Sequence, residues 1–249
     1  MKNVLVYSIG SLNEGHGPAL PSQIDDITAI KTAALVCERT GAAYRGHLPF
    51  SSDRVGEIAR DWCPAFIEPD KATAGIIEYI RNDLSAWPAK ASHIIIISGH
   101  GGNNFLKGQE KHLSGSIGLP VLYTIPFEGA RASHGEYGEI EVGHAGHGEH
   151  SVAVYLNLLD RGNLEMINEL AASDPRKALE KWKPLSGLGW YVLFGGPRYE
   201  PLRNPKYGLL IQAERFMKER RIIADPDLGR KLFSQNLENT LKRIEDFTR

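Results

Sequence analysis

Three short glycine-rich segments of this 249-residue chain carry side chains able to hold a metal ion. The windows 10–17, 99–102 and 143–148 contain nine of the 26 glycines, far more than uniform spreading would place there. Glycine lets a backbone turn tightly and approach a ligand closely. The first segment reads Glu14-Gly15-His16-Gly17-Pro18-Ala19-Leu20-Pro21, with Asp25 and Asp26 following. Glu14 and His16 are two apart, so in an extended stretch they point the same way and each can reach a metal. Asp25 stands at the start of a helix, where the dipole favours a carboxylate that can bridge two cations. The plainer alternative is that Asp25 or Asp26 caps that helix. In the second segment His100 sits between Gly99 and Gly101. A phosphate cradle there would need the Gly-x-x-x-x-Gly-Lys pattern, which is absent. The third segment, Gly143-His144-Ala145-Gly146-His147-Gly148-Glu149-His150-Ser151, packs three histidines and a glutamate together. It reads either as ligands and proton donors or as a solvated polar turn. Zincin spacing does not occur, and Cys37 and Cys63 cannot build a structural zinc site. Carboxylate and imidazole together suit Zn, Fe or Mn at a catalytic centre with open positions. A Ser-His-Asp hydrolase is disfavoured, because no Gly-x-Ser-x-Gly elbow is present.

These segments need elements to hold them. Residues 3–9 are apolar and β-branched and read as a buried strand, as do Ile94–Ile97 and Val121–Ile125. Ile27, Ile30, Ala34 and Cys37 share one face of a helix from about Asp25 to Arg39, with Gly41 as its stop. A second helix spans 70–84 and ends at Pro88. Residues 149–159 read as a helix, and Asp225-Pro226-Asp227 opens a last amphipathic one, with proline at its first position. Strands alternating with helices imply βαβ units and a mostly parallel sheet covered on both faces. Ligands of such sheets sit beyond the carboxyl ends of the strands, where the first two segments fall. The stretch 172–208, rich in Pro, Gly, Trp and Tyr, reads as irregular and available as a lid or an oligomer contact. No linker or repeat divides the chain, so a single domain over 1–249 is expected.

Composition narrows the function classes. With 42% hydrophobic and 24% charged residues, the chain is an ordinary globular protein, not a disordered or fibrous one. A net charge of −1 argues against a nucleic-acid partner. No apolar run is long enough to span a membrane. The chain enters its first strand without a signal peptide, and two cysteines suit a reduced compartment, so a cytoplasmic location is expected.

Taken in order, Glu14-x-His16-Gly17-Pro18-x-Leu20-Pro21 with Asp25, Gly99-His100-Gly101-Gly102-Asn103, and His144-Ala145-Gly146-x-x-Glu149-x-Ser151 resemble the creatininase family. The resemblance runs from residue 4 to about 160. It implies a single-domain three-layer α/β/α sandwich and hydrolysis of a non-peptide C–N amide bond. It also implies a site for two divalent ions (Fe(II), Zn or Mn) and a homo-oligomer. Carried over, Glu14 and His100 would bind one metal, His16 the other, and Asp25 would bridge them. Creatininase places a glutamate two residues after the second-loop histidine. Here that position is Gly102, and Glu149 is the natural replacement, as in members that share the glycine pair. His144, or else His147, would give a proton to the leaving amine. Gly101, Gly102, Asn103 and Lys107 are the expected substrate-binding residues. Ala19 and His150 stand where many members have histidine and threonine, which points away from creatinine. Within the family, the Gly-Pro-Ala-Leu-Pro and His-Ala-Gly-His-Gly-Glu-His-Ser stretches resemble a branch acting on a phosphorylated pyrimidine. Lys107, Arg198, Arg203 and Lys206 are available as cations for its phosphate. Two other readings stay open: a hydrolase of creatinine or another small amide, and a metal-binding homologue without turnover.

Overall fold

The structure, a computed structural model, describes residues 1, 3–87 and 90–249. In chain order the elements are β1 (Val4–Ile9), α1 (Ile24–Thr40), β2 (Ala43–Leu48), α2 (Pro69–Ala86), β3 (His93–Ser98), α3 (Glu110–Ile117) and β4 (Val121–Thr124). There follow β5 (Arg131–His134), β6 (Gly138–Glu141), α4 (His147–Tyr155), α5 (Arg161–Ser173), α6 (Pro175–Lys181), α7 (Leu185–Phe194), α8 (Leu209–Glu219) and α9 (Pro226–Thr248). Contacts divide the chain into two compact units interleaved in sequence. The first comprises residues 1–14, 25–128 and 236–249, and the second residues 15–24 and 129–235.

The first unit is the expected α/β/α sandwich. Its four strands run parallel in the order β2-β1-β3-β4. Alternation along the strands splits the apolar side chains between two faces. Leu5, Tyr7, Ile9, Ile94 and Ile96 pack with Ile76 and Ile80 of α2 and Leu113 of α3. Val4, Val6, Ile95 and Ile97 face the other way, onto Ala33 and Val36 of α1 and Leu237 and Ile244 of α9. Each fully buried Ile or Leu contributes about 2 kcal/mol of hydrophobic stabilisation, which fixes the sheet as a rigid platform. The strand order reverses between β1 and β3, the switch point where open α/β sheets take their ligands. β1 runs into Gly10–Glu14 and β3 into Ser98–His100, so two of the three candidate segments begin there. The amide of Gly99 donates to the Ile9 carbonyl at 2.9 Å, pinning the two exits together.

The second unit holds the antiparallel hairpin β5–β6 and the helices α4 to α8. Its core gathers Leu20, Ala153, Ile167, Leu179, Leu185 and Phe216. The segment 172–208 is not irregular: it supplies α6, α7 and short 3₁₀ turns, and Ala178, Leu179, Leu185 and Leu202 are fully buried. Its glycines and prolines punctuate helices. α4 also ends four residues earlier than its apolar spacing suggests, because Asn157 turns left-handed at φ 58°. The helix stop assigned to Pro88 lies outside the described residues. Among the described residues, no helix is long and apolar enough to cross a membrane.

Candidate metal centre

In the first unit Glu14, Asp25 and His100 form a buried cluster. One ligand atom from each lies within 4.8 Å of the others. His100 Nδ1 stands 2.9 Å from Glu14 Oε2 and 3.0 Å from Asp25 Oδ2. Each residue arrives from a different element: Glu14 from the loop after β1, Asp25 from the first turn of α1, His100 from the end of β3. A divalent ion bonded at about 2.1 Å to ligands at right angles sets those ligands about 3 Å apart, so the spacing fits a metal. Burial alone would lower the His100 pKa. The carboxylates of Glu14 and Asp25 outweigh it and hold the imidazole well above its ordinary value.

Asp26, the other candidate cap, does something else. Its Oδ1 lies 3.0 Å from His47 Nε2 and accepts the Leu12 amide at 3.4 Å, tying α1 to the loop that bears Glu14. Leu12 and Asn13 have φ of 47° and 74°, a left-handed backbone that costs energy in a residue with a β-carbon. Asn103, expected at the substrate, is fully buried, and its Nδ2 donates to the Gly10 carbonyl at 2.8 Å. It holds the first loop against the second. Lys107 is exposed and pairs with Glu128 at 3.3 Å. Gly101 is exposed with open space around it, whereas Gly102 is buried against His100 and Asp53.

In the second unit His16, His144 and Glu149 are neighbours. The His16 and His144 rings lie 4.3 Å apart, and His16 Nε2 stands 3.7 Å from Glu149 Oε2. Glu149 Oε2 also accepts the Ala145 amide at 2.6 Å. The loop carrying His144 is clamped by Ser186 and Gly187, whose amides donate to the carbonyls of Ala145 and His144 at 3.1 and 2.6 Å. Ser186, Gly187 and Leu188 are all left-handed, a run of unfavourable dihedrals that buys these two bonds.

His147 and His150 are engaged elsewhere. His147 Nε2 contacts Glu219 at 2.5 Å and its Nδ1 accepts the Ile223 amide at 3.4 Å. Burial lowers its pKa, with Glu219 opposing the shift. His150 is fully buried, donates from Nδ1 to the Gly146 carbonyl at 2.9 Å, and is pushed by burial down to about 4. The unfolded chain takes up that proton near pH 6.5 while the folded chain refuses it until about pH 4, so folding stability drops as the pH is lowered through this window. The loss attributable to His150 approaches about 3 kcal/mol. Urea unfolding of wild type and His150→Gln between pH 7 and 4 checks this. The stability difference must change with pH, and a constant difference would exclude the assignment.

Asp53 is the residue that sequence reasoning missed. It follows β2, is 7% exposed, and points Oδ2 at His100 Nε2 across 3.9 Å. The signal was a carboxylate at a third strand exit, but β2 itself was not recognised.

No family model matches the chain. It is 30% identical over 172 residues to the 2-amino-5-formylamino-6-ribosylaminopyrimidin-4(3H)-one 5'-monophosphate deformylase of Methanothermobacter thermautotrophicus, covering 66% of this chain and 64% of that protein. The chain thus spans less than two thirds of that relative. To the deformylase of the same name from Methanothermobacter marburgensis it is 24% identical over 252 residues, 97% of this chain and 89% of the relative. Among solved structures, a manganese creatininase superposes with a TM-score of 0.58 at 18% identity, over 100% of this chain and 92% of its own. The chain has the creatininase fold, and its sequence relatives are formylaminopyrimidine deformylases.

Proposed function

We propose that the chain is a metal-dependent amidohydrolase of the creatininase family that deformylates a formylamino-pyrimidine ribosyl monophosphate. The observation that carries the hydrolase reading is the buried Glu14–Asp25–His100 cluster, spaced for a divalent ion at the sheet's switch point. The substrate reading is supported by the name of the sequence relatives. Glu14, Asp25 and His100 would hold one ion, and His16 with Glu149 is the ligand set for a second. The chemistry a bound divalent ion supplies is an acidified water and a polarised carbonyl. Fe(II), Zn and Mn all accept such ligands.

His144 is assigned the proton transfer. It is half-buried beside His16, on a loop fixed at its backbone by Gly187, and general acids must be positioned in this way. His147 is the weaker candidate because both of its nitrogens are already engaged. In the reaction the formamide C–N bond breaks, the oxygen of water ends on formate, and His144 gives its proton to the departing amine. His144→Ala should lower kcat by about 10²–10⁴ while leaving metal content unchanged.

Apoprotein reconstituted anaerobically with Fe(II), Mn(II) or Zn(II) should release one formate for each formylaminopyrimidine nucleotide consumed. Hydrolysis of creatinine alongside inertness toward the nucleotide would overturn the substrate. Inactivity toward every amide, with metal bound, would make the chain a non-catalytic homologue.

A further inference from the structure

Gly102 lies two residues after His100, and the space a side chain there would enter is filled. A β-carbon built on Gly102 would stand 2.8 Å from Asp53 Oδ2 and closer still to His100 Nε2. Real β-carbons do not approach so near, so glycine here makes room for another carboxylate. The loop bearing it is fixed. The Arg54 amide donates to the Gly102 carbonyl at 3.0 Å, and Asp53 Oδ1 accepts the Val55 amide at 3.0 Å. That leaves Oδ2 directed at His100 Nε2, which is buried and has no hydrogen-bond partner among the described residues. The other imidazole nitrogen, Nδ1, is the one beside Glu14 and Asp25.

We infer that Asp53 is a positioning residue for the metal centre: it accepts the His100 Nε2–H, so that Nδ1 is the nitrogen turned to the ion held with Glu14 and Asp25. This rests on the metal-centre reading above. A ligating histidine commonly donates its second N–H to a carboxylate, which fixes ring orientation and tautomer and raises ligand basicity. In the structure the Nε2–Oδ2 separation is 3.9 Å, longer than a hydrogen bond, so the inferred bond requires the two groups to close by roughly 1 Å. Asp53 and Gly102 therefore act as a pair: the glycine admits the carboxylate that orients the histidine two residues before it.

The test uses the full-length apoprotein and Zn(II), titrated against a chromophoric chelator. Asp53→Asn is expected to weaken binding about tenfold and Asp53→Ala up to about a hundredfold. Circular dichroism of both variants should match wild type. In the Zn(II)-loaded wild-type protein labelled with ¹⁵N-histidine, long-range correlation spectra should show His100 metallated at Nδ1 and protonated at Nε2. A merely structural role for Asp53 would not set that tautomer. Metallation at Nε2 overturns the inference even if both variants fail to fold. So does wild-type affinity in folded Asp53→Ala. Wild-type protein that binds no Zn(II) would overturn the metal-centre reading itself, whereas wild-type binding unchanged by the substitutions overturns only the role of Asp53.

Discussion

Asp25→Ala is expected to strip the chain of the ion held with Glu14 and His100, with a loss of affinity above about a hundredfold. Loss of a residue that only orients a ligand already costs about 10–100-fold, and Asp25 offers a ligand atom itself. Its carboxylate sits 3.0 Å from His100 Nδ1, with both side chains almost wholly removed from water. Removing it leaves two residues of that cluster, Glu14 and His100. Metal content after dialysis against a weak chelator, measured by elemental analysis, reads the effect. Stoichiometric retention of metal by Asp25→Ala would sink the assignment. The same geometry predicts proton release. Glu14 and Asp25 hold the His100 pKa well above its usual value, so below that pKa an incoming ion must displace a proton. Wild-type affinity should therefore climb about tenfold per pH unit in that range, and the slope should flatten once His100 is already neutral.

Spacing alone did not separate Asp25 from Asp26, or a ligand from a helix cap, because both fall in the first turn; only the resemblance to the family singled out Asp25. The neighbours in the fold differ: Asp25 meets His100, and Asp26 meets His47 and the Leu12 amide. The run Ile94–Ile97 was legible as a strand because it is buried on both faces, and its glycine-flanked exit marked the site. β2 was not legible. Tyr44, Arg45 and Gly46 interrupt any apolar pattern, since this edge strand is only partly covered, with Tyr44 at the surface. With the strand unseen, the loop at its end was not a strand exit, and Asp53 looked like any polar loop residue. The left-handed turn at Ser186–Leu188 was equally hidden, because serine and leucine carry no preference for that conformation. It exists because tertiary bonds to the His144 loop hold it in place.

Gly99→Ala is expected to lower both stability and metal affinity in the first unit, although it adds one carbon and removes no ligand. A β-carbon at Gly99 would overlap the carbonyl oxygen of Asp25, stand 2.9 Å from the carbonyl carbon, and reach 3.1 Å from the Ala29 amide. All three are backbone atoms of the first turns of α1, so no side-chain rotation relieves the contact. Either α1 moves away from the end of β3 or the β3 exit moves away from Ile9. The first loosens the packing of Ala33 and Val36 against the sheet, and the second breaks the Gly99–Ile9 bond. Overpacking that must shift backbone costs about 1–3 kcal/mol or more, and here the residues it meets, Asp25 and Ala29, are buried. The same displacement carries Asp25 away from His100, so metal affinity should fall together with stability. Gly101→Ala supplies the contrast: that position is exposed, nothing lies within reach of an added methyl, and both properties should stay near wild type. Thermal unfolding with and without Zn(II) distinguishes the outcomes. Wild-type protein gains stability from the ion by mass action, and Gly99→Ala should lose both its baseline stability and most of that gain. A Gly99→Ala protein that melts like wild type would mean that the approach of α1 to β3 is looser than these contacts require.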